Sequence, residues 1–348
     1  MFDLNKILRP NIKNLTPYSS ARDEFKGDAS VYLDANENAY GSPLDKQYNR
    51  YPDPLQYAVK KRLSEIKGVP PRNIFLGNGS DEAIDILYRS FCNPGVDNVI
   101  IVPPTYGMYE VSANINDIAL RRVPLTEDYQ LDLEAIATHI DEHTKLIWIC
   151  SPNNPTGNSM HREDVETLLA NFNGLVIVDE AYINFSRQKS FIQELTEYAN
   201  LVVLQTLSKA WGLAGLRVGM AFASEEIIEV MNKVKPPYNM NDASQTLALE
   251  ALQNIDQVNA WIKETLAERD KLVLQLKNFD FVLDIYPSDA NFILVKTTDA
   301  NGIYNYLVQN GIIVRNRNKV ELCEGALRIT IGTPEENVKL IDTLQNYK

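Results

Sequence analysis

Three cysteines and three histidines in 348 residues leave little material for a disulfide scaffold or a metal centre. Cys92, Cys150 and Cys323 are widely spaced, form no CxxC pair, and two of them end apolar runs (RSFC, IWIC), so buried reduced thiols are expected. His139 and His143 stand four residues apart without the carboxylate of an HExxH motif, and no metal site is expected. A basic excess is missing as well. The 34 lysines and arginines are outnumbered by 46 aspartates and glutamates, a net charge of −12 that disfavours non-specific binding to nucleic acid or an anionic membrane. No uncharged apolar run approaches the roughly 18 to 20 residues of a membrane span. The opening segment, MFDLNKILRPNIKNLTPYSSARDEF, lacks both the apolar centre of a signal peptide and the acid-poor character of a transit sequence. A cytoplasmic location is therefore expected. What the chain does have is 45% hydrophobic residues, enough for one large core and a smaller second one.

Short apolar runs alternate with helical patterns. VIIV at 99–102, LIWIC at 146–150, LVIVDE at 175–180, LVVLQ at 201–205 and VGMAF at 218–222 are brief, β-branched and nearly continuous, as in strands buried on both faces of a mostly parallel sheet. Between them, Ile84, Leu87, Tyr88 and Phe91 recur at helical spacing after a Ser80/Asp81 start, and 161–172 has the same character. The alternation predicts an α/β fold with a central sheet between helix layers. From about residue 243 the pattern changes. A long helical stretch over 243–278 breaks near Ile255, strands follow at 281–286, 292–296 and 327–331, and a helix lies near 300–310. This predicts an arm over 1–28 packing with the small domain, a large domain over 29–242 and a small α+β domain over 243–348.

The chemistry concentrates in QTLSKAWGLAGLRVG at 205–219. A lone loop lysine is usually a surface residue. Here Lys209 follows a strand, is flanked by the hydroxyls of Thr206 and Ser208, and precedes Arg217 by eight residues. Gly212, Gly215 and Gly219 permit close turns among them. The grouping suits an anion beside an amine nucleophile at the carboxyl edge of the sheet, where open α/β proteins bind ligands. GNGSDEA at 77–83 precedes a helix, and the N–H groups of Gly79, Ser80 and Asp81 at its start would form an anion site. SPNNPTG at 151–157 and VDEAY at 178–182 each follow a strand.

The Thr206–Lys209 segment with its glycine-spaced arginine resembles the cofactor-lysine motif of the fold-type I aminotransferases, and the other motifs stand in that family's order. The resemblance implies an enzyme with a mostly parallel three-layer large domain. It implies that Lys209 carries pyridoxal 5′-phosphate as a Schiff base and that Gly79, Ser80, Asp81, Thr206, Ser208 and Arg217 hold the phosphate. Asp179 would pair with the ring nitrogen, Asn154 and Tyr182 would approach the phenolic oxygen, and Tyr106 (PPTYGMY) would lie against the ring. Tyr51 (NRYPDP) would reach the phosphate from a partner subunit, which implies a homodimer with shared sites.

LTPYSSAR at 15–22, LDANEN at 33–38, GIIVRNRNK at 311–319 and LRITIGT at 327–333 extend the resemblance to the histidinol-phosphate aminotransferases. These transfer the amino group between L-histidinol phosphate and 2-oxoglutarate, giving glutamate, in histidine biosynthesis. Arg328 and Arg315 would then grip the acidic group of the substrate, with Arg317 an alternative for the inward position, and Tyr18 would contact the imidazole. The sequence departs from that group at NENAYGSP, where NENP is usual. The competing readings are an aminotransferase for aromatic amino acids and a lyase resembling threonine-phosphate decarboxylase.

Overall fold

The computed structural model describes residues 2–18 and 30–347. β1 (Ile74–Asn78), β2 (Asn98–Ile101), β3 (Ala119–Arg122), β4 (Thr144–Cys150), β5 (Leu175–Asp179), β6 (Leu201–Thr206) and β7 (Val218–Phe222) form one sheet in the order β1-β7-β6-β5-β4-β2-β3. β3, β2, β4, β5 and β6 run parallel. Alternate side chains of the central strands enter two separate cores. Ile147, Ile149, Val176, Val178, Leu201 and Val203 face one core. Leu146, Trp148, Leu175, Ile177, Val202 and Leu204 face the other. This two-sided burial is why these strands read as unbroken apolar runs. Each such side chain contributes roughly 1.5–3 kcal/mol, which offsets the entropy of ordering the chain. Helices Tyr57–Lys67 and Arg162–Asn171 cover the first face, and Gly79–Phe91, Met108–Ile115 and Glu225–Val234 cover the second.

β7 is antiparallel to both neighbours, β1 and β6, although its sequence resembles the parallel strands. The reason lies in the connection. Residues 207–217, eleven in all, join β6 to β7 with one 3-10 turn, and a parallel crossover needs a dozen or more, usually including a helix. The sequence patterns omit β1, whose IFLGN is cut short by its own Gly-Asn end, and the half-exposed edge strand β3. The helix expected from Ser80/Asp81 begins one residue earlier. Gly79, at φ +74°, turns the chain from β1 straight into it.

β8 (Val282–Ile285), β9 (Phe292–Thr297), β10 (Arg315–Asn316) and β11 (Ala326–Thr330) form a second, fully antiparallel sheet in the order β10-β11-β9-β8. Its core gathers Ile293, Val295, Leu327 and Ile329 with residues of helices Ala300–Gln309 and Pro334–Gln345. The cores do not divide at residue 243. Ala248, Leu252 and Val258 pack with the first sheet, and Leu272 and Leu276 pack with the second. Helix Ile255–Leu276 therefore contributes to both cores.

The arm also differs from expectation. Within 2–18, Ile7 and Ile12 join the core formed by Tyr88, Phe91, Ile227 and Met231 of the large domain. Arg9 donates to Arg89 O at 2.7 Å, and Lys233 Nζ donates to Lys13 O at 3.1 Å. The apolar faces of helices Gly79–Phe91 and Glu225–Val234 take up these isoleucines in place of the small domain. The remainder of the arm, 19–28, lies outside the described residues. Among the described residues, no helix is long and apolar enough to cross a membrane.

Candidate active site

The carboxyl ends of β4, β5 and β6 open into a cleft of about 810 Å³, and the second sheet forms its far wall. Asp179 ends β5 and is 3% exposed. Its Oδ2 accepts from Tyr109 Oη at 2.7 Å and its Oδ1 from Ala181 N at 3.1 Å. Burial pushes the Asp179 carboxyl up to about 6. The two hydrogen bonds and Lys209 pull against that rise, while Asp81 adds to it.

Tyr109 is the functional residue that the sequence patterns miss. It is fully buried, its ring stacks on Trp148 at 4.9 Å, and Trp148 stacks on Tyr88 at 5.3 Å. Tyr88 Oη in turn donates to Tyr109 O at 2.8 Å. Three locked rings thus aim one hydroxyl at the carboxylate. The available signal was its place in PPTYGMY, three residues after Tyr106 and therefore one helical turn away.

Lys209 lies in the return loop between β6 and β7. Burial lowers its proton affinity, and the charges of Arg328 and Arg217 lower it further, against Asp179 and Asp81. Its Nζ is 5.5 Å from the centre of the Tyr182 ring. Asn154 Nδ2 donates to Tyr182 Oη at 3.4 Å, and Asn154 Oδ1 accepts from Arg328 Nη1. Burial also raises the Tyr182 phenol, so it stays a hydroxyl donor at neutral pH.

The loop's return brings Arg217 onto the start of helix Gly79–Phe91. Gly79 N donates to Arg217 O at 2.8 Å, and Arg217 Nη2 meets Asp81 Oδ2 at 3.2 Å. A Cβ on Gly79 would fall 2.5 Å from Arg217 Nη2. Ser208 N donates to Thr206 Oγ1 at 3.0 Å, and Thr206 Oγ1 donates to Val218 O at 3.2 Å. Tyr106 Oη donates to Asp81 Oδ1 at 3.1 Å, so Asp81 anchors both Tyr106 and Arg217. Gly79, Ser80, Asp81, Thr206, Ser208 and Arg217 together line a hollow that offers amide, hydroxyl and guanidinium donors. This donor set fits a phosphate. Asp179 below and Lys209 beside it fit a protonated ring nitrogen and an aldehyde.

Arg315 and Arg328 both reach the cleft from the second sheet, and so does Arg317. Two expected residues are not brought there. Tyr18 is 71% exposed and lines no part of it. Tyr51 stacks on Tyr238 at 4.5 Å beside a separate hollow of about 570 Å³ that Glu37 and Arg50 also line. Glu180, next to Asp179, is a further buried carboxylate that the patterns miss. It accepts from Phe191 N at 2.6 Å and Gln205 Nε2 at 2.8 Å, and so ties β5 and β6 to the 3-10 turn Phe191–Glu194. Among the described residues, no group of three or more His, Cys, Asp or Glu side chains could hold a metal ion.

The family model for aminotransferase class I and II matches residues 30–344. The chain is similar to the histidinol-phosphate aminotransferase of Cytophaga hutchinsonii, 55% identical over 346 residues and 99% of both chains. It is also similar to that of Parabacteroides distasonis, 55% identical over 348 residues and the whole of both chains. In fold it is similar to the crystal structure of histidinol-phosphate aminotransferase from Sinorhizobium meliloti in complex with pyridoxal-5′-phosphate. That similarity has a TM-score of 0.78 at 23% identity, over 90% of each chain.

Asp179 binds its proton more tightly in the fold than in the unfolded chain. The ligand-free protein therefore loses stability from this group as pH rises from 3.8 to about 6. Asp179→Asn is expected to remove that loss. The variant should be more stable than the parent at pH 7, by at most about 3 kcal/mol, with the difference vanishing near pH 4. Tyr109→Phe acts in the opposite sense, raising the carboxyl further and lowering stability at pH 7 by about 1–3 kcal/mol. Urea midpoints at the two pH values check both signs; an Asp179→Asn variant less stable at pH 7 would contradict the burial argument.

Proposed function

The chain belongs to the class I and II aminotransferases, and from that membership we propose that it transfers the amino group of L-histidinol phosphate to 2-oxoglutarate in histidine biosynthesis. The fold is fold type I and the cofactor is pyridoxal 5′-phosphate. The observation that carries the substrate reading is the pairing, in one cleft, of a lysine of lowered proton affinity with arginines from the opposite wall. The first suits amine chemistry. The second suits an amine bearing a phosphate and an oxo acid bearing a second carboxylate, the two substrates of the reaction.

Pyridoxal 5′-phosphate, when bound, supplies an aldehyde for amine exchange and an electron sink for the charge released at the substrate α-carbon. The Ser80 and Asp81 amides, the Ser208 hydroxyl and Arg217 would hold its phosphate, while Gly79 N and Thr206 Oγ1, whose own protons go to Arg217 O and Val218 O, would shape the hollow around it. Asp179, kept largely ionised by Tyr109 and Ala181 N, holds the proton on the ring nitrogen through a charge-assisted hydrogen bond. Asn154 and Tyr182 would hydrogen-bond to the phenolic oxygen, and Tyr106, pinned by Asp81, would flank the ring. Lys209 carries the cofactor at rest. The Lys209 Nζ would also take up the proton from the substrate α-carbon, and its lowered proton affinity suits it to act as a base. Arg328 and Arg315 orient the acidic end of the substrate.

We also assign the active form as a homodimer. Tyr51 lies outside its own chain's cleft, and the segment around it exposes Leu33 (86%), Tyr40 (102%) and Leu44 (61%), an apolar face suited to a second copy. In this reading Tyr51 completes the phosphate site of the other subunit. A cytoplasmic setting accords with three buried, unpaired thiols, Cys92, Cys150 and Cys323.

The test is a half-reaction. Cofactor-loaded protein mixed with L-histidinol phosphate, without 2-oxoglutarate, should change its cofactor absorption and form imidazole-acetol phosphate stoichiometrically. Unchanged absorption would remove the substrate assignment, and carbon dioxide released from threonine phosphate would put a lyase in its place. Lys209→Ala should lower turnover by at least about a thousandfold, on the scale of lost acid–base and nucleophilic catalysis. Tyr51→Phe should weaken cofactor retention without affecting the fold of either subunit. A fully active monomer on size-exclusion chromatography would contradict the shared site.

A further inference from the structure

The second sheet delivers three arginines to the cleft, Arg315, Arg317 and Arg328, and among the described residues no carboxylate lies within ion-pair distance of any of them. Strand pairing explains the placement. Arg315 on β10 lies directly across from Arg328 on β11. Arg317 N donates to Ala326 O at 2.9 Å, continuing the ladder by two residues. Side chains two apart on a strand share a face, so Arg317 emerges on the side that already carries the other two.

In the ligand-free protein this arrangement is adverse. Like charges opposed across a strand pair are destabilising. Burial, then Arg328 and Arg315, pull the Arg317 guanidinium down to about 10. The buried Nε atoms of Arg317 and Arg328 have no hydrogen-bond partner, and a buried donor left unpaired is destabilising. Arg328 is partly relieved by Asn154 Oδ1. Arg317 has no side-chain acceptor at all among the described residues. Three cations facing one space in a chain of net charge −12 are accounted for by an anion that enters it.

The charge and shape of that anion follow from the donors. A carboxylate carries one charge and two oxygens, which a single arginine fork satisfies. A phosphate monoester carries about 1.5 to 2 charges at neutral pH and three acceptor oxygens. Three guanidiniums on one sheet face match three oxygens. We infer that Arg317 completes a three-arginine site for a phosphate monoester and sets the cleft's preference for a phosphorylated amine over a carboxylate-bearing one. The inference rests on the histidinol-phosphate reading above and names the residue that enforces it.

The experiment uses the cofactor-loaded enzyme, in which the Gly79–Arg217 hollow already holds the cofactor's phosphate, so that added inorganic phosphate reports on the arginines. Its Kd is measured by calorimetry for the parent, Arg317→Gln and Arg317→Lys. Half-reaction kcat and KM are then measured with L-histidinol phosphate and with glutamate. Arg317→Gln is expected to raise the phosphate Kd and the histidinol-phosphate KM by about ten- to a hundredfold, the scale of one charged hydrogen-bonding partner. The glutamate KM should rise by a several-fold smaller factor. kcat for histidinol phosphate should fall less than its KM rises. Arg317→Lys, which restores the charge without the planar fork, should recover part of the loss. Equal shifts for the two substrates, or an unchanged phosphate Kd, would overturn the assignment of Arg317. A parent enzyme that binds phosphate through Arg317 yet does not turn over histidinol phosphate would overturn the substrate reading and leave the three-arginine site standing.

Discussion

A Cβ placed on Gly219 would lie 2.1 Å from Gly79 C and Ser80 N, closer than real side chains come to a backbone. The cleft depends on that approach. It brings β7 back against β1, with Gly219 opposite Gly77 in the antiparallel register. It also brings the end of the 207–217 loop onto the start of helix Gly79–Phe91, where Gly79 N meets Arg217 O. Lys209 rides on the same loop, so its amine and the donors assigned to the phosphate are placed by a single backbone contact. Arg217 itself sits at φ +55°, a conformation that strains a non-glycine residue and that the surrounding contacts must hold.

The charges at the site are stabilised unequally. Asp179 is buried and lies at the end of a central strand, where its ionised form is costly. Tyr109 Oη and Ala181 N each hold one of its oxygens, which moderates the cost without abolishing it. Lys209, Arg317 and Arg328 all lose proton affinity through burial first. For the lysine that loss is useful, because a neutral amine is the reactive form. For the arginines it marks a site organised around a ligand's charge, since guanidinium stays protonated and can only be relieved by an anion. A partly uncompensated site of this kind lowers the stability of the empty protein in exchange for preorganised donors, and the two large cores beneath the first sheet supply the margin.

Much of this was legible because it is local. A strand buried on both faces leaves an apolar run, and a residue at its carboxyl end follows that run in sequence, so Asp179, Asn154, Thr206 and Lys209 stand where strand patterns predict a ligand edge. What depends on distant partners was not legible. Tyr109 is an ordinary aromatic on a short helix until Asp179 is found 70 residues away across the core. The direction of β7 depends on loop length more than on strand composition. Ile7 and Ile12 give no sign of which domain they cover. The choice between Arg315 and Arg317 looked exclusive in sequence, yet a two-residue spacing on a strand puts both on one face.

The two sheets divide the chemistry between them. Residues assigned to the cofactor sit on the first sheet's edge and its loops, and the arginines assigned to the substrate sit on the second. Asn154 is where these two sets touch directly, with its Nδ2 on Tyr182 Oη and its Oδ1 on Arg328 Nη1. One planar amide cannot rotate for one partner without disturbing the other. Asn154 therefore ties Tyr182, beside the first sheet, to Arg328 on the second. Helix Ile255–Leu276, which contributes Val258 to one core and Leu272 and Leu276 to the other, is a second link between the two sheets.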